Sequence, residues 1–198
     1  MQEFWDQRYD TKDFVYGKHP NAFFKEFIDN HQPGSLLLPA EGEGRNAVYA
    51  ALKGWDITAF DHSPNAREKA FELCKEYGVD IDYRISSIED FHTESRFDAI
   101  AMIFLHMPPS ARQEMHRKMI NYLRPGGYFL MEAFSKKQVY YNTGGPQNID
   151  LLYQRKDLIQ DINNLELLYF KEKLRTLDEG YYHRGKAEVL QLIARKLN

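Results

Sequence analysis

Gly42, Gly44 and Ala47 stand in the run LLLPAEGEGRNA, residues 36–47, at the G-x-G-x-x-G/A spacing with which a strand turns into a helix around a bound cofactor. Glycine has no Cβ, so a ligand can approach the main chain closely there. Two cofactor chemistries use such a turn, the dinucleotides and S-adenosylmethionine, and the spacing by itself leaves both open. Asp61 closes the next apolar run, 17 residues after Gly44. That places a carboxylate at the same edge, able to accept two hydrogen bonds from ribose hydroxyls. His62 beside it is a candidate for the ribose region.

The elements that must carry these residues alternate. After Pro33-Gly34, residues 36–38 read as a buried strand, and Pro39, which lacks an N–H, requires that strand to finish about there. The following helix carries Ala47, Val48, Ala51 and Leu52 on one face and stops at Gly54. WDITAFD makes a second strand. Ser63-Pro64 then opens a helix as N-cap and first-turn proline, with Ala66, Ala70, Leu73, Cys74 and Tyr77 inward and Gly78 as the stop. A third strand spans 81–85, and FDAIAMIFLH has the continuous apolar run of a central strand covered on both faces. Ser110 begins a capping-box pattern for a helix with Ala111, Met115, Met119, Tyr122 and Leu123 inward, which RPGG ends. YFLMEAF is a fifth strand. LELLYFKEKLRTL and KAEVLQLIARKL, separated by DEGYYHRG, should pair antiparallel.

The chain has 198 residues, enough for one domain with a sizeable core. Its 26 Lys and Arg against 29 Asp and Glu give a formal charge of −3, so nothing favours nucleic acid or an anionic membrane surface as partner. The first residues lack the order of a secretory signal, and no apolar run is long enough to cross a bilayer. A cytoplasmic protein is expected. Cys74 is the only cysteine, which rules out an internal disulfide and a thiolate-rich metal site; on an inward stripe it reads as a core residue. Tyr169 and Lys173 have the Tyr-x-x-x-Lys spacing of short-chain oxidoreductases, but LELLYFKEKL alternates like a strand, which would hold the two side chains apart.

Taken together, GEGRNA, the strand-ending Asp61, FDAI, LRPGG and the antiparallel finish resemble the Rossmann-like (class I) S-adenosylmethionine-dependent methyltransferases. FWDQRY, YGKHPN, TGGP, LDEG and HRGKAEVLQLIARK resemble more narrowly the tellurite-resistance and thiopurine methyltransferase-like branch. The likeness covers most of the chain. It implies an α/β, Rossmann-like three-layer sandwich. Its seven-stranded, mostly parallel sheet has order 3-2-1-4-5-7-6, with the last strand antiparallel. A single domain over 1–198 is implied, with residues 1–31 as N-terminal lid and helix and 34–198 as core. The implied cofactor is S-adenosyl-L-methionine, with S-adenosyl-L-homocysteine as product. Around it stand Ala40, Glu41, Gly42, Gly44, Asn46, Asp61, His62, Ser63, Ser87, Ile88 and Ile103. Three positions depart from the family: Leu38 replaces the usual acid of the first strand, Ala40 the first glycine, and Ser87 an acid that contacts adenine.

Methyl transfer is an in-line displacement that asks an enzyme for alignment, desolvation and, for a protonated nucleophile, a base. FLHMPP lacks the Asn or Asp before Pro-Pro typical of enzymes that methylate amino groups of DNA and glutamine. Oxygen, sulfur or chalcogen nucleophiles on a small molecule remain. His106, at the end of the fourth strand, is the candidate catalytic group, either as a base or as a packed histidine bonded to a loop carbonyl. Trp5, Tyr9, Tyr16 and Asn21 lie in the lid-like segment as substrate or cover residues. Arg8 is expected to pair with Asp6 or Asp10, the alternative being an anionic substrate. The expected protein is a methyltransferase, monomeric or a weak homodimer. A noncatalytic S-adenosylmethionine- or S-adenosylhomocysteine-binding regulator is the alternative, and an NAD-binding oxidoreductase a more distant one.

Overall fold

The computed structural model describes residues 2–197. Helices α1 (Gln2–Tyr9) and α2 (Ala22–Asn30) precede strand β1 (Ser35–Pro39). Helix α3 (Arg45–Leu52), strand β2 (Asp56–Asp61), helix α4 (Pro64–Tyr77) and strand β3 (Asp82–Ile85) follow. After them come β4 (Phe97–Ile103), α5 (Pro109–Asn121), β5 (Leu123–Phe134), two short 3-10 turns, α6 (Arg155–Asp161), β6 (Leu165–Asp178) and β7 (Arg184–Lys196). The seven strands form one sheet in the order β3-β2-β1-β4-β5-β7-β6. β1, β2 and β3 pair parallel, β4 and β5 pair parallel, and β7 runs antiparallel to both β5 and β6. This is the expected Rossmann-like α/β arrangement, with order and strand directions as the resemblance implied.

Two compact units divide the chain: residues up to His92 with Glu179–Tyr182, and residues 93–178 with those from His183 onward. In the first, Leu36, Leu37 and Leu38 are buried, β1 ends at Pro39, and Pro39 pairs with Phe60 as its last ladder position. Ser63 caps α4 by accepting the Ala66 N–H, and Gly78, at φ +68°, closes it. Ala66, Ala70, Leu73 and Cys74 are buried as expected, and Val48, Leu73 and Cys74 pack together. Burial pushes the Cys74 thiol up to about 11, which makes it a core residue without reactivity. Tyr77, the last residue of α4, is 42% exposed and not inward as its spacing suggested. On α3 the inward residues are Ala47, Val48 and Ala50, together with Arg45 and Asn46, while Leu52 is exposed.

In the second unit, α5 begins two residues earlier than the capping-box pattern suggested. Pro108 precedes a proline, which holds it extended, so Pro109 is the first residue that can turn and Ser110 lies inside the helix. The inward face is Arg112, Met115, His116, Met119 and Ile120. RPGG follows the helix but belongs to the irregular start of β5, where pairing with β4 jumps from Phe97–Leu123 to Ala99–Tyr128. The antiparallel hairpin is longer than its apolar runs: β6 and β7 pair out to Asp178–Arg184. Tyr169 and Lys173 both lie in β6, opposite Ile193 and Val189, so their oxidoreductase-like spacing is accidental.

Gly180, between β6 and β7, belongs to the first unit and presses on residues 15–17. A Cβ there would lie 2.4 Å from the Val15 oxygen and 2.5 Å from the Tyr16 carbonyl carbon, and φ is +79°. Tyr181 N–H donates to the Val15 oxygen at 2.9 Å. Gly180→Ala should cost roughly 2–4 kcal/mol, strain plus overpacking against backbone that cannot yield. Gly78→Ala, equally left-handed but with nothing within 4 Å of its Cβ, should cost only about 1–2 kcal/mol. Urea unfolding of the two variants checks the difference.

Candidate functional site

The turn after β1 is made by three left-handed residues in five, Ala40 at φ +51°, Gly42 at +65° and Gly44 at +85°. For alanine this costs about 1–2 kcal/mol, a strain retained where the backbone path matters more than comfort. The Gly42 N–H donates to Asp61 Oδ2 at 3.1 Å, and the Ser63 N–H donates to Asp61 Oδ1 at 3.0 Å. Tyr83 on β3 donates its hydroxyl to the Gly42 carbonyl at 2.6 Å. The structure therefore joins Gly42 and Asp61, as the spacing predicted. Desolvation raises the Asp61 carboxyl above its usual range although backbone N–H groups, that of His62 included, oppose the shift.

The other residues of the turn have roles the sequence did not reveal. A Cβ on Gly44 would lie 2.7 Å from the Ala70 Cβ, so this glycine exists to let α3 lie against α4 and leaves no room for a ligand on that side. Glu41 turns to the first turn of α3, accepting the Asn46 and Ala47 N–H groups at 2.9 and 2.7 Å and the Asn46 amide at 3.4 Å. It satisfies donors that a helix start leaves open. Glu43 is buried; it accepts the Val15 and Tyr16 N–H groups at 3.0 and 3.2 Å and pairs with buried Lys69 at 2.9 Å. Neither Glu43 nor Lys69 was expected. The signal available was a lysine on the inward stripe of α4, where a cation needs a partner.

Residues 2–21 are tied to the rest of the first unit by side-chain hydrogen bonds. Asn21 is fully buried as the N-cap of α2, accepting the Phe23 and Phe24 N–H groups at 3.0 Å. Its own N–H donates to Asn46 Oδ1, and its amide to Glu179, which also pairs with Arg45 at 2.8 Å. Asn21 thus acts as the N-cap of α2. Asp6 accepts the Ser63 hydroxyl at 2.6 Å and the Asn65 N–H, which holds α1 to the start of α4 and commits Ser63 to structure. Tyr9 is buried with its hydroxyl 2.7 Å from where a Gly42 Cβ would stand, so it covers the turn. Trp5 stacks on Tyr9 at 5.8 Å, and Tyr16 meets both rings at 6.4 Å. Arg8 makes no ion pair with Asp6 or Asp10; it donates to the Tyr16 hydroxyl at 3.1 Å and lies over the Tyr182 ring at 4.1 Å.

Ser87 folds onto Asp90, donating to its carboxylate at 2.8 Å and accepting its N–H at 3.1 Å, while Ile88 beside it is buried. In the second unit, Ile103 ends β4 and Phe104 is left-handed at φ +54°, its N–H donating to the Glu132 oxygen at 2.7 Å. His106 is a packed histidine. Nδ1 bonds the Leu151 carbonyl at 2.9 Å and Nε2 accepts the Phe134 N–H at 3.4 Å, between the Phe134 and Tyr153 rings. Burial depresses it to about 4, so it is neutral at physiological pH with both nitrogens engaged. The bond to a loop carbonyl is the one that the packing alternative called for.

Glu41 is pushed from its ordinary 4.5 up to about 7, because burial outweighs the N–H groups it accepts. The folded chain then binds a proton more tightly than the unfolded one. Its contribution to stability is full below about pH 4.5, falls as pH rises to about 7, and is flat above. Stability of wild type minus that of Glu41→Gln should therefore decline across this window in urea unfolding at a series of pH values. A difference independent of pH would place the proton elsewhere.

The family description "Methyltransferase domain" matches residues 39–127, which hold the turn, Asp61, Ser87, Ile88 and His106. The chain is similar to a Haemophilus influenzae protein described as "Probable S-adenosyl-L-methionine-dependent methyltransferase TehB". The two are 23% identical over 169 residues, 83% of this chain and 58% of the relative, so the chain spans less than two thirds of it. The crystal structure of Haemophilus influenzae TehB superposes with a TM-score of 0.74 at 20% identity, over 98% of this chain and 66% of that one. A structure titled for the conversion of a disulfide bond into a thioacetal group during echinomycin biosynthesis gives 0.81 at 16% identity, covering 100% and 92%. The N-methyltransferase NodS of Bradyrhizobium japonicum, solved with S-adenosyl-L-homocysteine, gives 0.72 at 14% identity, covering 100% and 98%. The matched domain covers 89 of the 198 residues, and the sheet order and the superpositions show that the chain has the fold of these methyltransferases.

Proposed function

We propose that this chain is a methyltransferase that uses S-adenosylmethionine to methylate a sulfur, oxygen or chalcogen nucleophile on a small molecule. The observation that carries the reading is Asp61, a desolvated carboxylate at the end of β2, held against the left-handed turn at Gly42. The donor set fits an adenosyl ligand: a carboxylate matches the vicinal hydroxyls of ribose, and a strand-turn-helix backbone suits the methionine part. Asp61 would hold the ribose, with His62 beside it. Ala40 to Gly42 would receive the amino-acid end, and Ile88 and the backbone at Ser87 the adenine. When bound, the cofactor supplies an electrophilic methyl on a sulfonium.

The remaining task for the protein is to orient a nucleophile and exclude water. His106 holds no free nitrogen with which to take a proton. This favours acceptors that are already ionised near neutral pH, such as acidic thiols and chalcogen oxyanions. Tyr9 and Trp5 cover the turn, so residues 2–31 serve as a fixed cover of a single-domain enzyme. No described helix is long and apolar enough to cross a membrane, and the formal charge of −3 offers nothing to nucleic acid. A cytoplasmic monomer or weak homodimer completes the reading.

Calorimetry should show S-adenosylhomocysteine binding with NAD failing to bind. Asp61→Ala should weaken that binding about tenfold or more, since a charge-assisted hydrogen bond contributes about 1.5–3 kcal/mol. Unchanged affinity in a variant with intact circular dichroism removes Asp61 from the site. Methyl transfer to a panel of thiols and oxyanions separates an enzyme from a noncatalytic binder. With His106 neutral throughout, the rate of the working reaction should show no inflection from this group between pH 5.5 and 8, and His106→Gln should leave the shape of the pH profile unchanged.

A further inference from the structure

Arg8 is a cation that the structure supports but does not neutralise. No carboxylate among the described residues lies within ion-pair distance of it, and Asp6, one helical half-turn away, is committed to Ser63 and Asn65. Its guanidinium carbon lies 4.6 Å from the centre of the Phe4 ring, 5.4 Å from Trp5 and 4.1 Å from Tyr182, and Nη1 donates to the Tyr16 hydroxyl at 3.1 Å. Aromatic faces balance part of the charge but leave most of the five N–H donors unmet. Phe4 is 53% exposed and Tyr182 40%, so the wall that holds Arg8 is open to a ligand. The same wall reaches the glycine turn, because Trp5 stacks on Tyr9 and Tyr9 covers Gly42.

We infer that Arg8, with the Tyr16 hydroxyl and the Phe4 and Tyr182 rings, is the acceptor-recognition subsite, and that the acceptor is a small planar anion of the aromatic carboxylate type. The inference rests on the methyltransferase reading above and adds the acceptor's chemical class. A carboxylate matches the guanidinium fork with two parallel charge-assisted hydrogen bonds, and a planar body can lie on the exposed rings. A neutral isostere of the same shape forgoes the charge-assisted pair and leaves the cation uncompensated.

The test uses salicylate and salicylamide, which have nearly the same shape and differ in charge, as binding probes for the chain loaded with S-adenosylhomocysteine. Calorimetry should show salicylate binding at least tenfold more tightly than the amide. Arg8→Gln should abolish that preference while leaving S-adenosylhomocysteine affinity within twofold, which also reports an intact fold. Arg8→Lys, which keeps the charge without the fork, should retain part of the preference. Equal binding of the two probes, no measurable binding of salicylate, or a preference that survives Arg8→Gln overturns the inference. Loss of S-adenosylhomocysteine affinity in Arg8→Gln overturns it as well, since Arg8 would then serve the cofactor. Failure of S-adenosylhomocysteine to bind the wild-type chain is a separate outcome that removes the methyltransferase reading beneath it.

Discussion

The buried carboxylate of Glu43 is the constraint on which the first unit depends. It stands between the two glycines of the turn and accepts the main-chain N–H groups of Val15 and Tyr16, while Lys69 on α4 meets its charge. Lys69 in turn donates to the Asp13 carbonyl and the Thr11 hydroxyl. One ion pair thus fixes three pieces of chain: the turn, the segment before α2 and the central part of α4. Desolvating two charges is expensive, and a buried pair is weak evidence of net stabilisation. Its value here lies in specification, because removing either partner would leave the other buried and uncompensated, at a cost of about 3–5 kcal/mol.

Around that pair, polar groups are satisfied by one another. Arg45 reaches the Tyr16 carbonyl and Glu179, Glu179 receives the Asn21 amide, and Asn21 bonds Asn46, whose own amide points to Glu41. Such a network is worth keeping only when every member has a partner, since each orphaned group costs about 1–3 kcal/mol. The consequence for function is rigidity. The Gly42 N–H and the Asp61 carboxylate are held in register by a bond of 3.1 Å.

The second unit solves a different problem. Glu132 lies fully buried on β5, where Arg175 of β6 and Gln191 of β7 both donate to it, so the last three strands of the sheet are tied by charge as well as by ladder bonds. Phe104 leaves β4 in a left-handed conformation and stacks on Phe134 at 4.5 Å, with His183 edge-on to both rings. His106 packs on the same Phe134. The imidazole thus lies among aromatic rings at the end of β4.

By itself the sequence determined the alternation of elements, the glycine turn, the strand-ending Asp61, the end of β1 at Pro39 and the antiparallel finish, because each rests on local rules of period, capping and proline geometry. Those rules hold whatever the rest of the chain does. Only the tertiary structure decided what the polar residues of the turn are for. Glu41, Glu43 and Asn46 are equally plausible as ligand contacts from spacing alone, yet their partners, Ala47, Lys69 and Asn21, lie 6, 26 and 25 residues away. Gly44 reads the same in either role until Ala70 is found at its missing Cβ. Arg8 was expected to pair with a neighbour in sequence, but Asp6 was taken by α4, and the cation went to rings contributed partly by residue 182. A side chain's type limits the bonds it can make; which of them it makes is settled by the groups that folding brings within about 3 Å of it.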